Sequence, residues 1–329
     1  MFKWLLEFLD IDINDVFVGK TVNEEIYGGY IISRSSRYYI NKGILVYFNK
    51  RNYAKYRRII IAYRLIPPDF WRENKSDWYI HLRKFHKTIL LEGIKKLDKT
   101  SLNILSIGCG SGWEIWTLSK YLQTLSKDYK IIGCDIALKP LQVAWNKARR
   151  QKHNNIDFIC CSAETLPFKD NTFDLVTAIF GALDHSINYV RSFIEAARVL
   201  KSGGIFVATV INRFALEWIL KVIRNPRLFI KTIKFAGHTH ARIRIPLGGH
   251  YISIPTHFYN ALEIKQILDR AGLQRKKFLG VFIILPLNFK RKKFSRLDQL
   301  LSKIDKHCWN IPILNYLGRY IGIIAQKVS

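Results

Sequence analysis

The middle third of the chain alternates apolar runs of strand length with longer segments in which apolar residues recur at helical spacing. Strands are predicted at residues 103–107, 130–134, 156–160, 173–180 and 205–210. Helices are predicted at residues 113–125, from Pro140 onward, and at 189–200, where Lys201-Ser202-Gly203-Gly204 is expected to end the helix. Such alternation is typical of a parallel sheet whose strands are connected by helices on its faces.

The flanking regions carry a weaker pattern. The further predicted elements are helices at 81–97, 261–271 and 297–304 and strands at 282–287 and 320–325. Pro67-Pro68 indicates a boundary, and an apolar segment after residue 213 is broken at Asn225-Pro226. We therefore expect an N-terminal extension over residues 1–100 and a core domain over 101–329 with an insertion at about 211–258.

A glycine loop, Gly108-Cys109-Gly110-Ser111-Gly112, joins the first predicted core strand to the following helix. Glycine suits a sharp turn whose backbone approaches a ligand closely, and the helix N-terminus behind the loop offers free N–H groups to an anion. A dinucleotide site would carry glycine at position 113 in the spacing GxGxxG, but this chain has Trp113 there. The loop therefore favours a smaller adenosyl cofactor over NAD or FAD.

Asp135 ends the next predicted strand, 23 residues after Gly112. A carboxylate at this place can accept hydrogen bonds from both hydroxyls of a ribose. The alternative is that Asp135 only caps the helix that begins near Pro140.

Positive charge is concentrated in the two flanking regions of the chain. The net charge is +28, of which residues 211–329 carry +17, residues 1–100 carry +8 and residues 101–210 carry +3. Basic flanks favour an anionic partner such as nucleic acid, anionic lipid or a phosphorylated metabolite, although a merely solvated surface fits equally well.

The remaining composition indicates a cytoplasmic protein. No apolar run approaches the roughly 20 residues of a membrane-spanning helix, and acidic residues interrupt the first 18 positions, unlike a secretory signal. The 5 cysteines form no CxxC pair, so we predict no metal site from them and expect free thiols in a reducing compartment.

Successive segments of the core together resemble one enzyme family. ILSIGCGSG, IIGCDI, CSAETLPFKDNTFDLV, ALDH and EAARVLKSGG are similar, in this order, to the motifs of class I S-adenosylmethionine-dependent methyltransferases, and most similar to the type 11 enzymes that act on quinones and small molecules. The resemblance is strong over about 103–210 and weaker over 256–273. It implies a Rossmann-like, doubly wound α/β fold with a mostly parallel seven-stranded sheet and an antiparallel last strand.

The resemblance also implies a set of cofactor-binding residues. They are Ser106, Gly108, Cys109, Gly110, Gly112, Asp135, Ile136, Ser162, Ala163, Glu164 and Phe180. The glycines would contact the methionyl and ribose parts, Asp135 the ribose, and residues 162–164 the adenine. The family usually has an acid in place of Ser106 and an aspartate in place of Ser162. These departures suggest weaker cofactor binding, or a substitute contact from Glu164.

Asp184 and His185 follow the fourth core strand and are the candidate catalytic residues. In open α/β sheets this position faces the ligand crevice, and a histidine of near-neutral pKa can accept a proton from the methyl acceptor. His185 could instead only cap the next helix or shape the pocket.

The insertion after the fifth core strand contains eight basic residues, several aromatic residues and His238, His240, His250 and His257. These histidines lack nearby cysteine or acidic partners, so no metal site is predicted. A lid that excludes water fits better, and its basic amphipathic character suits an anionic membrane surface and a lipid-like acceptor.

Three functions remain open at this point. The first is methyl transfer to a small-molecule or lipid-like acceptor. The second is methylation of RNA, for which the basic and aromatic residues 53–64 would form a binding surface. The third is a scaffold that keeps the fold without catalysis, suggested by Ser106 and Ser162.

Overall fold

The computed structural model describes the chain except for residues 11–14, 23–24, 34–35, 49, 67–74, 225–239, 248–249, 287–291 and 329. The strands are β1 Asp15–Val22, β2 Glu25–Ser33, β3 Ser36–Asn41, β4 Ile44–Val46, β5 Ser101–Ile107, β6 Asp128–Asp135, β7 Ile156–Cys160, β8 Phe173–Ala178, β9 Leu200–Ile211, β10 His240–Leu247, β11 His250–His257, β12 Leu273–Val281 and β13 Tyr320–Lys327. The α-helices are α1 Lys50–Leu65, α2 Asp77–Ile94, α3 Trp113–Thr124, α4 Leu138–Arg150, α5 Tyr189–Val199, α6 Leu216–Arg224, α7 Ala261–Arg270 and α8 Arg296–Cys308.

Seven strands form the expected core in the order β7-β6-β5-β8-β9-β13-β12. The first five of these are parallel, whereas β13 runs antiparallel to both β9 and β12. Because the order turns back between β5 and β8, helices cover both faces and a crevice opens at the carboxyl ends of these two strands. The predicted doubly wound fold with an antiparallel last strand is confirmed.

The sheet is wider than predicted, because the N-terminal extension adds four strands. β1, β2, β3 and β4 form an antiparallel meander, and β4 pairs in parallel with β7 through Leu45 opposite Ile159 and Val46 opposite Cys160. Eleven of the described strands therefore make one sheet, rather than the seven that were predicted, and β10 and β11 form a separate two-stranded sheet. The extension covers the edge of β7, where unpaired backbone groups would otherwise be exposed.

Helix α2 is the part of the extension that joins the core. A Cβ on Gly93 would lie 2.4 Å from Val207 of β9, and a Cβ on Gly322 of β13 would lie 2.5 Å from Ile89. Two glycines therefore let the helix pack closely on β9 and β13. None of the described helices is long and apolar enough to cross a membrane.

Two predicted boundaries are wrong. β9 begins at Leu200, so the glycines after Lys201 lie inside a strand instead of following a helix. The strand predicted at 282–287 does not form over its described part, because β12 ends at Val281 and Phe282 has a φ of 57°. A carboxylate replaces the sheet partner there: Asp305 of α8 accepts the N–H groups of Phe282, Ile283 and Ile284 at 2.6–3.1 Å.

Asp305 holds the C-terminal part of the chain together. Its fully buried carboxylate also accepts hydrogen bonds from Nε2 of His81, at 2.9 Å, and from the indole of Trp309, at 3.1 Å. Burial alone would raise the pKa of Asp305, but the bonds from His81 and Trp309 outweigh it and hold the pKa below its usual value. One side chain thus links α2, α8 and the turn after β12.

We predict that Asp305→Ala lowers the free energy of unfolding by about 3–5 kcal/mol, because it leaves buried donors and His81 without their shared acceptor. Urea denaturation followed by circular dichroism measures the loss. Asp298→Ala in the same helix is the control, since it removes only an exposed capping box and should cost about 1 kcal/mol. Equal losses in the two variants would contradict this account of Asp305.

Candidate active site

The glycine loop lies at the carboxyl end of β5, beside the end of β8. Gly108, Gly110 and Gly112 all have positive φ, at 66°, 52° and 87°. A Cβ on Gly108 would lie 2.4 Å from the Cβ of Ala182, so the loop packs directly on the turn after β8. A Cβ on Gly110 would meet no atom of the described chain within 4 Å. Gly110 therefore borders open space, in the crevice where such sheets bind ligands.

Asp135 faces the same crevice from the end of β6. Its Oδ2 accepts the N–H of Gly110 at 2.9 Å, and its Oδ1 accepts the N–H of Ala137 at 2.8 Å. Burial raises the pKa of Asp135, and these backbone bonds oppose the rise. Each oxygen keeps a second lone pair, so a carboxylate fixed in this way can still accept hydrogen bonds from a ribose. Cys109 and Ile136, the other predicted contacts on this side, are buried and half-buried respectively.

Residues 162–164 form a tight turn after β7. The hydroxyl of Ser162 accepts the N–H of Glu164 at 3.1 Å, and both side chains are buried. Oε1 of Glu164 accepts the N–H of Ile187 at 2.7 Å. Glu164 therefore ties this turn to the loop after β8. Ala163 is half-buried in this turn. The hydroxyl of Ser162, which accepts one hydrogen bond, can still donate its proton.

Phe180 begins the turn after β8 and has a φ of 56°. Its N–H donates to the hydroxyl of Thr209 at 3.0 Å, and that hydroxyl is hydrogen-bonded to Nε2 of His86, 3.2 Å away. The Phe180 ring meets the edge of His86 at a centroid distance of 3.9 Å and that of Trp113 at 5.3 Å. Phe180 thus stands between the helix that follows the glycine loop and the buried helix α2.

Asp184 lies in the interior of the protein. Its carboxyl is fully buried and accepts the N–H of Ile211 at 3.2 Å, while its carbonyl accepts the N–H of His257 at 2.7 Å. Burial raises the pKa of Asp184 well above its usual range. These bonds connect the turn after β8 with β9 and β11, so the observed contacts of Asp184 are structural ones.

His185 lies beside Asp184 and is held by β11. Its Nδ1 is 3.2 Å from the carbonyl oxygen of Pro255 and 3.1 Å from the hydroxyl of Thr256. A carbonyl oxygen can only accept, so Nδ1 carries the proton and Nε2 has the lone pair. Burial lowers the pKa of His185 to about 4, well below the near-neutral value expected from the sequence. The ring is therefore neutral at physiological pH.

Two distant segments cover this crevice. Ile254 of β11 is buried in one apolar cluster with Tyr56, Ile59, Ile60 and Ala62 of α1 and with Ile66, which directly follows that helix. Tyr63, from the same helix, packs against this cluster and meets the ring of His185 at a centroid distance of 5.8 Å. The cluster and the hairpin β10–β11 are called the cap below. The N-terminal extension and the insertion after β9 therefore reach the same site.

Among the histidines of the insertion, the structure describes the side chain of His257. His257 is buried, donates through Nε2 to Oε1 of Glu263 at 2.7 Å, and stacks on Tyr189 at a centroid distance of 3.7 Å. His238 lies outside the described residues. Within the part of the chain that the structure describes, no three histidine, cysteine or acidic side chains are grouped as metal ligands.

Four residues that sequence reasoning did not select also lie at the site. They are Tyr63, His86, Glu114 and Thr177. Tyr63 and His86 come from the N-terminal extension, where no motif marks them. Glu114 directly follows Trp113, and its position at the second residue of a helix behind a glycine loop was a usable signal.

The sequence is similar to those of known methyltransferases. Residues 105–208 match the family model described as a methyltransferase domain. An uncharacterized protein of Methanocaldococcus jannaschii is 29% identical over 78% of this chain and 88% of its own length. The demethylmenaquinone methyltransferase of Lactococcus lactis is 36% identical over 32% of this chain and 41% of its own length. The mitochondrial ubiquinone biosynthesis O-methyltransferase of Candida albicans is 26% identical over 63% of this chain and 61% of its own length. The chain thus spans less than two thirds of both named enzymes.

Replacing Gly110 tests the glycine loop. We predict that Gly110→Val abolishes binding of S-adenosylhomocysteine in calorimetry, because the new side chain fills the open space beside Asp135. Gly272→Val is the matched control, since Gly272 also has a positive φ and open space around its Cβ but lies at the end of α7. Both variants carry similar backbone strain, about 1–2 kcal/mol, and should remain folded. Loss of binding in both would mean that strain, not the ligand space, is responsible.

Proposed function

We propose that this chain, whose residues 105–208 match a methyltransferase domain, transfers a methyl group from S-adenosylmethionine to a small lipid-like acceptor of the quinol type. The observation that carries the proposal is the neutral His185, with its Nε2 lone pair available, beneath an apolar cap. The names of the quinone-pathway relatives point to the same acceptor class. Such an acceptor has a hydroxyl, or a ring carbon activated by one, that loses a proton on methylation.

The cofactor site provides binding and orientation. The glycine loop and Asp135 would hold the methionyl and ribose parts of the cofactor, and residues 162–164 would hold the adenine. Phe180 would lie between the cofactor and the acceptor. Bound there, S-adenosylmethionine supplies an electrophilic methyl group. The protein contributes mainly by aligning the acceptor with that methyl group, since proximity and orientation can provide a large share of the rate enhancement.

His185 is proposed as the general base. Its Nδ1–H is held by the carbonyl of Pro255, so Nε2 would accept the proton that the acceptor loses as its new bond to carbon forms. A pKa of about 4 keeps nearly every molecule in the neutral, accepting form at pH 7. Asp184 is proposed as the positioning residue that fixes the turn carrying His185.

The cap would exclude water from the transferred methyl group and give the acceptor an apolar surface. Ile254, Ile60 and Tyr63 belong to it, and they come from the two segments, 1–100 and 211–258, that lie outside the core motifs. We propose that these segments determine which acceptor binds, with the hairpin acting as the lid.

Contact with an anionic membrane would bring a lipid-like acceptor to the site. Helix α6 exposes an apolar surface: Ile223 is 68% exposed, Phe214 beside the helix 51% and Trp218 37%. Lys221 and Arg224 belong to the last turn of the same short helix, and Nζ of Lys221 lies 4.7 Å from the centre of the Trp218 ring. An exposed apolar stripe flanked by basic residues is typical of helices that lie in a membrane interface.

The RNA alternative has less support from the structure. Nucleic-acid surfaces stack bases on exposed aromatic side chains. In α1, however, Tyr56 is buried and Tyr63 packs into the cap, whereas Arg57, Arg58 and Arg64 are exposed. The two named relatives are enzymes of quinone pathways.

We predict that His185→Ala reduces turnover of a short-chain demethylmenaquinol about 10²–10⁴-fold. The affinity for S-adenosylhomocysteine should hardly change, because His185 lies on the acceptor side. In the unsubstituted protein, His185 gains a proton as the pH falls through about 4, so turnover should fall there and not near 6.5. Near-normal turnover by the variant would make His185 a residue that only shapes the pocket. A loss of affinity for S-adenosylhomocysteine would mean that His185 lies beside the cofactor and not on the acceptor side.

Sedimentation with vesicles tests the membrane surface. We predict that the protein binds phosphatidylglycerol vesicles at low salt, binds phosphatidylcholine vesicles weakly, and is released by high salt. Ile223→Ser should weaken binding about tenfold, as expected for losing one inserted apolar side chain. Leu262→Ser is the control, because Leu262 is 66% exposed but lies on α7. Equal effects of the two substitutions would contradict a role for α6.

A further inference from the structure

A second carboxyl lies under the glycine loop. Glu114 is the second residue of α3, and its side chain is only 3% exposed. Its Oε1 accepts hydrogen bonds from the hydroxyls of Ser106 and Thr177, the latter at 2.8 Å. Ser106 of β5 and Thr177 of β8 are register partners. Glu114 is therefore fixed at the point where the two central strands end.

The charge of this carboxyl is poorly compensated. Its hydrogen-bond donors are two neutral hydroxyls, both on one oxygen, and no lysine, arginine or donor to Oε2 is found among the described residues. Burial raises the pKa of Glu114 to about 7, and the negative charge of Asp135 adds to the rise. The N-terminus of α3 stabilises the anion only in part. A buried carboxylate of this kind gains most from a nearby cation.

The cofactor carries a suitable cation at one end. S-adenosylmethionine has an α-ammonium group on its amino-acid part, and the open space at Gly110 lies in the loop immediately before α3. We propose that Glu114 binds this ammonium group through Oε2 while Ser106 and Thr177 hold Oε1. The inference rests on the cofactor and is independent of the acceptor. It gives Ser106 a role, as the group that orients an acid from the following helix.

The ionisation of Glu114 then couples cofactor binding to pH. Among the described residues, the titratable groups that interact electrostatically with Glu114 are Asp135 and the thiol of Cys109. Burial keeps the pKa of Cys109 well above its usual value, so that thiol stays neutral. Because the ammonium favours the ionised carboxylate, binding should expel a proton from Glu114 below pH 7. Affinity should therefore be about tenfold lower at pH 6 than at pH 8, for a group titrating near 7.

Two ligands separate this contact from the rest of the site. S-adenosylhomocysteine has the ammonium group, whereas 5′-methylthioadenosine has the same ribose and adenine but no amino-acid part. In calorimetry, the unsubstituted protein should bind S-adenosylhomocysteine about tenfold more tightly at pH 8 than at pH 6. Its affinity for 5′-methylthioadenosine should be the same at both values. That second ligand controls for any titration of Asp135, which faces the ribose.

The variant Glu114→Gln should bind 5′-methylthioadenosine normally. It should bind S-adenosylhomocysteine at least about tenfold more weakly at pH 8, and its affinity should not change with pH. Ser106→Ala removes a donor to the carboxylate, so the pH midpoint of S-adenosylhomocysteine binding should move upward. Unchanged affinity and pH dependence in Glu114→Gln would overturn the proposal. So would an equal loss of both ligands, since Glu114 would then only support the loop.

Discussion

The parallel pairing of β5 with β8 is the constraint on which the site depends. The two strands are neighbours in the sheet although 65 residues lie between the end of β5 at Ile107 and the start of β8 at Phe173. Their last paired residues are Ser106 and Thr177. The chain leaves β5 into the glycine loop and leaves β8 into the turn at Phe180, on opposite sides of one crevice. The two turns touch at Gly108 and Ala182, where no room remains for a Cβ on Gly108. The residues proposed to bind the cofactor and to act on the acceptor are arranged around that contact.

Buried carboxyls surround this point, and each is stabilised differently. Asp135 accepts two backbone N–H groups beside open space, which suits a ligand that donates hydrogen bonds. Asp184 accepts the N–H of Ile211 inside the protein, which suits a structural link. Glu114 receives only hydroxyl donors from the described chain, which suits a cationic ligand. The hydrogen-bond partners of each carboxyl group, more than its degree of burial, distinguish a ligand-binding role from a structural one.

The cap shows how a standard core obtains a particular pocket. Tyr63 of α1 and Ile254 of β11 are far apart in the chain but lie in one apolar cluster above His185. The same hairpin fixes the tautomer of His185 through Pro255. The segment that is proposed to cover the acceptor therefore also orients the proposed base, so a substitution in the cap would affect both acceptor binding and His185.

The sequence by itself determined the core: its alternating pattern, the glycine loop and Asp135 identify the fold and the cofactor, because these signals are local and each depends on neighbours within a few residues. It did not determine the four added strands, the boundary at Phe282, the low pKa of His185 or the partnership of Ser106 with Glu114. Only the tertiary structure decided these. The pairing of edge strands, the desolvation of side chains and the hydrogen bonds between elements depend on which segments lie next to each other in space. The periodicity of the sequence does not predict those contacts.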